Sequence, residues 1–371
     1  MTQNERIIMF SKIGILGLGL IGGSLARALK KYNYPATLYG YNRNQEALSQ
    51  ALDSGAIDVA VHDWKELNDC DLIVLCCPVN INIQLFEAIQ PFLKDNVVIS
   101  DVGSTKNDIY SALSTYDFKG YFIGGHPMAG SEQSGFDATK AELFENAYYV
   151  LTPQPSTPRQ YIEQMAQLAT SIHAIPTILD PKRHDFIVAA ISHVPHILAA
   201  SLVNMVESLD SAEKEMYTLA AGGFKDFTRI ASSSPEMWQQ ICVANQDAIT
   251  QILDYYMKQL TNIREQVMAQ NSTYIYDFFD QSKRFRNTFQ NKARGSIDKS
   301  LALFVDINDE TGVIADIATR LSKKEISIKN IGINNNREDF GGVLEILFYD
   351  ESSLNEAIHV IENANYKIIE S

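Results

Sequence analysis

The stretch Gly124–Gly135, GGHPMAGSEQSG, sets one histidine, His126, between a glycine pair and a proline, with hydroxyls and a carboxylate close behind. An imidazole near neutrality can accept a proton from a reacting group, which makes His126 a candidate general base. The plainer alternative is that it only fixes its own loop by bonding backbone. A second polar group, SHVPH, holds Ser192, His193 and His196 around Pro195 inside an apolar stretch, where polar atoms need partners or a ligand. His193 and His196, three apart, share a helix face and could in principle grip a metal. No carboxylate or cysteine nearby completes a set, so no metal is expected and His193 reads as a satisfied core histidine. Ser192 and His196, four apart, also share a face. In GGFKDFTRIASSSPEMW, Lys225 and Arg229 project two cations from one side of a helical turn, and Trp238 follows. A solvated surface pair is the default reading of such cations. The glycine approach and the aromatic suit a pocket for an anion, whose carboxylate a guanidinium can hold bidentately.

These groups need a scaffold, and the first half of the chain supplies the signals of one. KIGILGLGLIGGSLARALKKY runs from a short apolar strand through Gly17-x-Gly19-x-x-Gly22 into a helical pattern. Gly17 permits the turn, Gly19 lets backbone approach a pyrophosphate, and Gly22 lets helix and strand pack closely. Leu20 and Ile21 lie in the first helical turn, whose N–H groups face the anion. About 20 residues on, where an acidic group usually holds the adenosine ribose, stand Asn42 and Arg43. Asparagine can still bond the ribose, while Arg43 could pair with a 2′-phosphate or lie on adenine. NAD is the first choice and NADP stays open. Further strands, DLIVLCCP, NVVISDVGSTK and GYFIGGH, alternate with amphipathic helices, which predicts a parallel, doubly wound α/β sheet. Pro78, Ser104 and His126 each follow a strand, so their loops should meet at the carboxyl edge where ligands bind. There His126 would serve a hydride transfer, and Ser104 could orient the imidazole or the nicotinamide amide.

After AIPTILDP the pattern turns to long helices. RHDFIVAAISHVPHILAASLVNMVESL is apolar almost all round, as in a buried core or subunit contact, and AITQILDYYMKQLTNIREQVMA is amphipathic, so a homodimer is expected. The polar run KARGSIDKS reads as a linker. Beyond it the order βαββαβ predicts a ferredoxin-like α+β unit. The expected domains are therefore 1–178, dinucleotide-binding; 179–293, all-α; and 299–371, the small sheet.

Composition sets limits on partners. The 371 residues carry a net charge of −14 without a basic stripe, which argues against nucleic acid. Four cysteines without a C-x-x-C pair read as small buried hydrophobes in a reducing compartment. The N-terminus has no signal-peptide core, and no run of about 20 apolar residues is expected to span a bilayer. The cytoplasm follows.

In order along the chain, GLGLIGGSLA, DVGSTK, GGHPMAGSEQSG, SHVPH and GGFKDFTRIASS resemble the prephenate dehydrogenases of tyrosine biosynthesis. The resemblance implies NAD(P)-dependent oxidative decarboxylation of prephenate to 4-hydroxyphenylpyruvate, on a Rossmann domain joined to a helical dimerisation domain. It makes His126 the catalytic histidine at the ring 4-hydroxyl and Ser104 the serine beside it. Arg229 becomes the ligand of a substrate carboxylate, with Ser192 and His196 around the substrate. Glu132, with Ser131 before it, Lys225 and Trp238 resemble an outer gate, Trp238 with a possible approach from the second subunit. NDETGVIADIATRLSKKEISIKNIGI resembles an ACT domain, an amino-acid sensor. Its effector region matches Asn308, Asp309, Thr311, Gly312 and Val313, with Asn330 and Ile331 on a strand, and tyrosine is the implied inhibitor. Asn42, where many relatives carry aspartate, leaves cofactor preference open. Arogenate dehydrogenase, a 3-hydroxyacid dehydrogenase and a non-catalytic sensor of NAD and an amino acid are the rival readings.

Overall fold

The computed structural model describes residues 9–131, 133–289, 301–307, 310–334, 342–364 and 366–369. The chain divides into two compact units, Met1–Met268 and Ala269–Ser371.

The first unit is built on eight strands: β1 (Lys12–Leu16), β2 (Thr37–Tyr41), β3 (Val59–Ala60), β4 (Leu72–Leu75), β5 (Val98–Asp101), β6 (Tyr121–Pro127), β7 (Tyr148–Pro153) and β8 (Ile175–Ile178). Their order in the sheet is β3-β2-β1-β4-β5-β6-β7-β8. Alternate residues of each central strand enter opposite cores, as the two-residue period of a strand requires. Ile13, Ile15, Leu72, Val74 and Val98 pack on one face, and Leu16, Ile73, Leu75 and Ile99 on the other. Burial on both faces explains the unbroken apolar runs.

β1 to β6 are mutually parallel, as expected, but β7 is antiparallel to β6. A parallel neighbour needs a crossover of a dozen or more residues, usually helical. Within the β6–β7 link the described helical structure is one 3₁₀ turn, Ala141–Phe144, and the chain comes back as an antiparallel neighbour. β8 then pairs parallel with β7.

Helices Pro181–Val188 and Val194–Leu209 continue into each other through a π-helical turn, Ala189–His193. Pro195 has no N–H to give and crowds the preceding turn, conditions under which a helix widens. By length and composition alone the run Pro181–Leu209 is long and apolar enough to cross a bilayer, with a hydropathy of 1.9 in its best window. This corrects the expectation that no such run exists.

In the second unit, helix Ser272–Thr288 precedes β9 (Ala302–Ile307), helix Val313–Ser322, β10 (Ile328–Asn334), β11 (Gly342–Phe348), helix Glu351–Asn363 and β12 (Lys367–Ile369). The sheet order β10-β11-β9-β12, antiparallel throughout, is the ferredoxin-like arrangement expected of an ACT-type domain. Val305, Leu344, Ile346 and Phe348 bury one sheet face against Ile317, Leu321, Ala357 and Ile361 of its two helices.

Candidate active site

The glycine turn has the shape its spacing demands. Gly17 has φ +105° and donates its N–H to Tyr41 O at 2.8 Å. A Cβ on Gly22 would lie 2.1 Å from Gly17 O and 2.8 Å from Cys76 Cβ, so helix Leu20–Lys31 can approach only with glycine there. A Cβ on Gly19 would meet nothing within 4 Å, and the first helical turn holds no acidic residue. Open space over unneutralised helix N–H groups fits a dinucleotide's pyrophosphate. Leu20 and Ile21 are half-buried in that turn. Asn42 accepts the Leu18 N–H on Oδ1 and donates Nδ2 to Asn44 O, both at 3.3 Å, so it braces the loop and keeps spare capacity for a ribose hydroxyl. Arg43 is exposed, and its charge counters part of the burial that pushes the Cys77 thiol up. Pro78 caps helix Val79–Ile89 beside them.

His126 closes β6, and its Nδ1 lies 2.8 Å from His184 Nε2. His184 Nδ1 in turn lies 2.8 Å from Asp185 Oδ1. Asp185 also accepts the backbone N–H groups of Lys106 and Asn107, at 2.9 and 2.8 Å, where helix Asn107–Leu113 begins. Such a carboxylate only accepts, and for two neutral rings this fixes every proton in the row. His184 must carry its hydrogen on Nδ1, which leaves Nε2 a lone pair; His126 must then donate Nδ1–H, and its own Nε2 becomes a free acceptor. Burial, followed by the neighbouring His184, Lys106 and His193, holds His126 well below the ordinary histidine pKa. The ring is therefore neutral and oriented to take a proton on Nε2.

Asn245 ties this row to the second histidine group, with Nδ2 donating to Asp185 O at 2.8 Å and lying 3.1 Å from His193 Nδ1. His193 is 1% exposed, as a satisfied core histidine should be, and burial pushes it down to about 4. His196 Nδ1 bonds Ser192 O at 2.9 Å, so the pair four apart meets through the Ser192 carbonyl and not its hydroxyl. Trp238 stacks on His196 of its own chain, 3.9 Å between centroids.

Other expected residues are placed more loosely. Ser104 is half-buried after β5 and has no hydrogen-bond partner among the described residues; the imidazole is oriented by His184 instead. Lys225 and Arg229 are exposed on Gly222–Ser232, which packs against Val194–Leu209. Ser131 accepts the Gln133 N–H at 3.2 Å. Glu132, Asn308 and Asp309 lie outside the described residues. Thr311 is exposed, Gly312 has φ +98° and caps helix Val313–Ser322, and Asn330 and Ile331 are exposed on β10. Among the described residues no three His, Cys, Asp or Glu side chains group to hold a metal.

His184, Asp185 and Asn245 are not among the residues predicted from sequence. The one local signal is RHD behind Asp180-Pro181, an N-cap followed by a proline, which marks a helix start and puts an ionisable pair in its first turns.

A glycine turn shaped for a dinucleotide and a neutral, oriented base on the same carboxyl edge of one sheet define an oxidoreductase site. The profile "Prephenate dehydrogenase, nucleotide-binding domain" matches residues 25–175, and "Prephenate dehydrogenase, dimerization domain" matches residues 180–281. The prephenate dehydrogenase of Bacillus subtilis is 36% identical over 357 residues, covering 95% of this chain and 96% of its own. That of Lactococcus lactis subsp. cremoris is 37% identical over 358 residues, 95% and 98%. The crystal structure of A. aeolicus prephenate dehydrogenase with hydroxyphenyl propionate and NAD+ superposes with a TM-score of 0.71 at 27% identity, covering 76% of this chain and 100% of that one. The chain belongs to the prephenate dehydrogenase family, a class of NAD-dependent oxidoreductases.

Proposed function

We propose that this chain oxidises prephenate to 4-hydroxyphenylpyruvate with loss of CO2, and that tyrosine inhibits it through the C-terminal sheet. The observation that carries the reading is the row His126–His184–Asp185, which leaves His126 Nε2 a neutral acceptor at the carboxyl edge of the sheet that also carries the glycine turn. When bound there, NAD supplies the hydride acceptor. As C4 of the ring loses hydride, charge building on the carbinol is relieved if His126 Nε2 takes the hydroxyl proton. His184 and Asp185 stabilise the resulting imidazolium through the Nδ1–H. Departure of CO2 pushes an electron pair into the ring, which becomes aromatic, and His126 returns the proton to the phenolic oxygen. The base is thus restored each cycle without a net proton passing to solvent.

Arg229 is the proposed carboxylate ligand for the dianionic substrate, with Lys225, Ser131 and Glu132 at the mouth and Ser104, Ser192, His196 and Trp238 around the ring and side chain. Asn42 and Arg43 bear on NAD against NADP. One observation favours arogenate as a second reading. With Nδ1–H committed to Ser192 O, a neutral His196 offers only an acceptor at Nε2, which suits an ammonium better than a keto group.

Exposed apolar residues of the helical segment, among them Tyr217, Leu219 and Val243, support a homodimer, and the cytoplasm is the compartment we infer. The effector reading rests on Gly312, whose left-handed backbone opens the start of helix Val313–Ser322 to a carboxylate. Reduced-nicotinamide absorbance, with prephenate and arogenate each tested against NAD and NADP, tests the reaction. No reduction in any of the four combinations refutes it.

A further inference from the structure

The buried pair Lys106–Asp101 has no part in the chemistry above. Both side chains are wholly shielded from water, and their ammonium and carboxylate are in contact. Burying two charges is costly, and such a pair is commonly no more stable than well-packed apolar residues, so stability alone explains it poorly.

Its surroundings indicate a use. Asp101 Oδ1 accepts the Gly125 N–H at 3.1 Å, one residue before His126, and Oδ2 accepts the Gly103 N–H at 2.9 Å, one residue before Ser104. The Lys106 stem lies on the same strand end, since a Cβ on Gly124 would stand 2.8 Å from its Cδ. A Cβ on Gly125 would fall 2.5 Å from Asp101 O. The glycine pair before His126 thus leaves room for the Lys106 stem and the Asp101 carbonyl, and equally for Thr152 Oγ1 and Ser100 Oγ, which a Cβ would also meet. The Lys106 backbone N–H binds Asp185 Oδ1 at 2.9 Å, at the far end of the histidine row.

We propose that Lys106 is a positioning residue for the base: it clamps the His126 strand end through Asp101, holds Asp185 through its own N–H, and with its ammonium keeps the His126 imidazole unprotonated at rest. The ionisable groups around His126 are His184 and Asp185 from the following helix, His193 from the π turn, and Lys106 and Asp101. Burial and His184 weigh most against an imidazolium there, and the Lys106 ammonium adds to them. The depressed pKa of His126, to which Lys106 contributes, agrees with this.

The inference rests on His126 being the base, so its test is read first on protein without substrate. Histidine ring resonances are titrated by NMR in wild type, Lys106→Arg, Lys106→Met and the neutral double variant Lys106→Met/Asp101→Asn, with His126→Asn identifying the signal. Lys106→Met leaves a buried carboxylate unpaired and is the variant most prone to misfold; the double variant leaves no buried charge. The double variant should titrate His126 higher by a few tenths to about one pH unit, below the range for a lone nearby charge because one charge of each sign is removed. The acid limb of kcat/KM should move with it, and Lys106→Arg should keep both near wild type. An unmoved His126 titration in a folded double variant overturns the proposal, as does a shift of equal size in Lys106→Arg. Failure of wild type to oxidise prephenate or arogenate would sink the functional reading and leave the titration result standing.

Discussion

Asp185→Asn changes one atom at the end of the row and tests the whole proton assignment. The carboxylate takes three hydrogens, from the Lys106 and Asn107 N–H groups and from His184 Nδ1. An asparagine must point its NH2 at one side. If it faces the Asn107 N–H, the tautomers survive but two donors collide, and the orphaned N–H costs about 1–3 kcal/mol of stability. If it faces His184, it donates to Nδ1; His184 then carries its hydrogen on Nε2, gives it to His126 Nδ1, and His126 Nε2 becomes a donor. The base is lost by a shift of hydrogens alone.

Both outcomes remove the negative charge that steadies the imidazolium. Acting through one ring, on the order of 8 Å away, a full charge at an effective dielectric of 20 contributes about 2 kcal/mol, roughly thirtyfold in rate. Tautomer inversion adds the loss of general-base catalysis, so kcat should fall between about 30-fold and 10⁴-fold. KM should stay within about twofold, because no substrate contact is touched. Steady-state assays of reduced nicotinamide give both constants, and circular dichroism verifies the fold. A folded variant with kcat within about threefold of wild type would refute the assignment of His126 Nε2 as the acceptor.

Four further outcomes follow from the same geometry. His126→Asn should keep substrate binding and lower turnover by roughly 10²–10⁴-fold, and near-native turnover would remove the residue from the mechanism. Arg229→Gln should chiefly raise KM, since a ground-state carboxylate contact appears there, and an unchanged KM would return Arg229 to the solvated surface. His193, pushed down to about 4 from 6.5, binds its proton first in the unfolded chain; the stability it confers is complete above pH 6.5 and shrinks by about 3 kcal/mol as pH falls toward 4. Urea titrations at pH 7 and pH 4.5 should show that loss, and His193→Asn should reduce it. Tyrosine should raise the melting temperature and the apparent KM for prephenate together, as reciprocal linkage demands, and an effect on neither would end the effector reading.

How much of this the sequence shows depends on the range of the interaction. The glycine turn was legible because its geometry is local: φ at Gly17, clearance at Gly22 and open space at Gly19 all follow from neighbours in the chain or from the strand alongside. The alternating cores of β1, β4 and β5 were legible for the same reason, through a period of two. The antiparallel return of β7 was not, because it depends on what the β6–β7 link lacks and not on a pattern in β7. His126 was visible at a strand end, and Ser104, its neighbour across the sheet edge, offered itself for orienting either the imidazole or the nicotinamide amide. The actual partner, His184, lies 58 residues on, beyond two more strands. RHD resembles any solvated helix start until the fold sets it against the first turn of Asn107–Leu113.

The same contrast explains why a neutral base is built from so many ionisable groups. Left alone in a low-dielectric setting, an imidazole loses its charge but remains free to choose its tautomer, and either nitrogen could face the substrate. A carboxylate in direct contact would fix the tautomer but would also draw in a proton and hold it. Interposing His184 separates the two effects: Asp185 dictates which nitrogen bears hydrogen along the whole row, while its charge acts on His126 only from one ring away. Because the base must give its proton back when the ring turns aromatic, too strong a pull from Asp185 would trap the imidazolium and stall the cycle. This predicts that His184→Gln, which can still accept from His126 Nδ1 through its amide oxygen, should retain much more turnover than His184→Leu, which cannot. Equal losses in the two folded variants, measured as kcat with saturating prephenate, would mean that His184 only fills space.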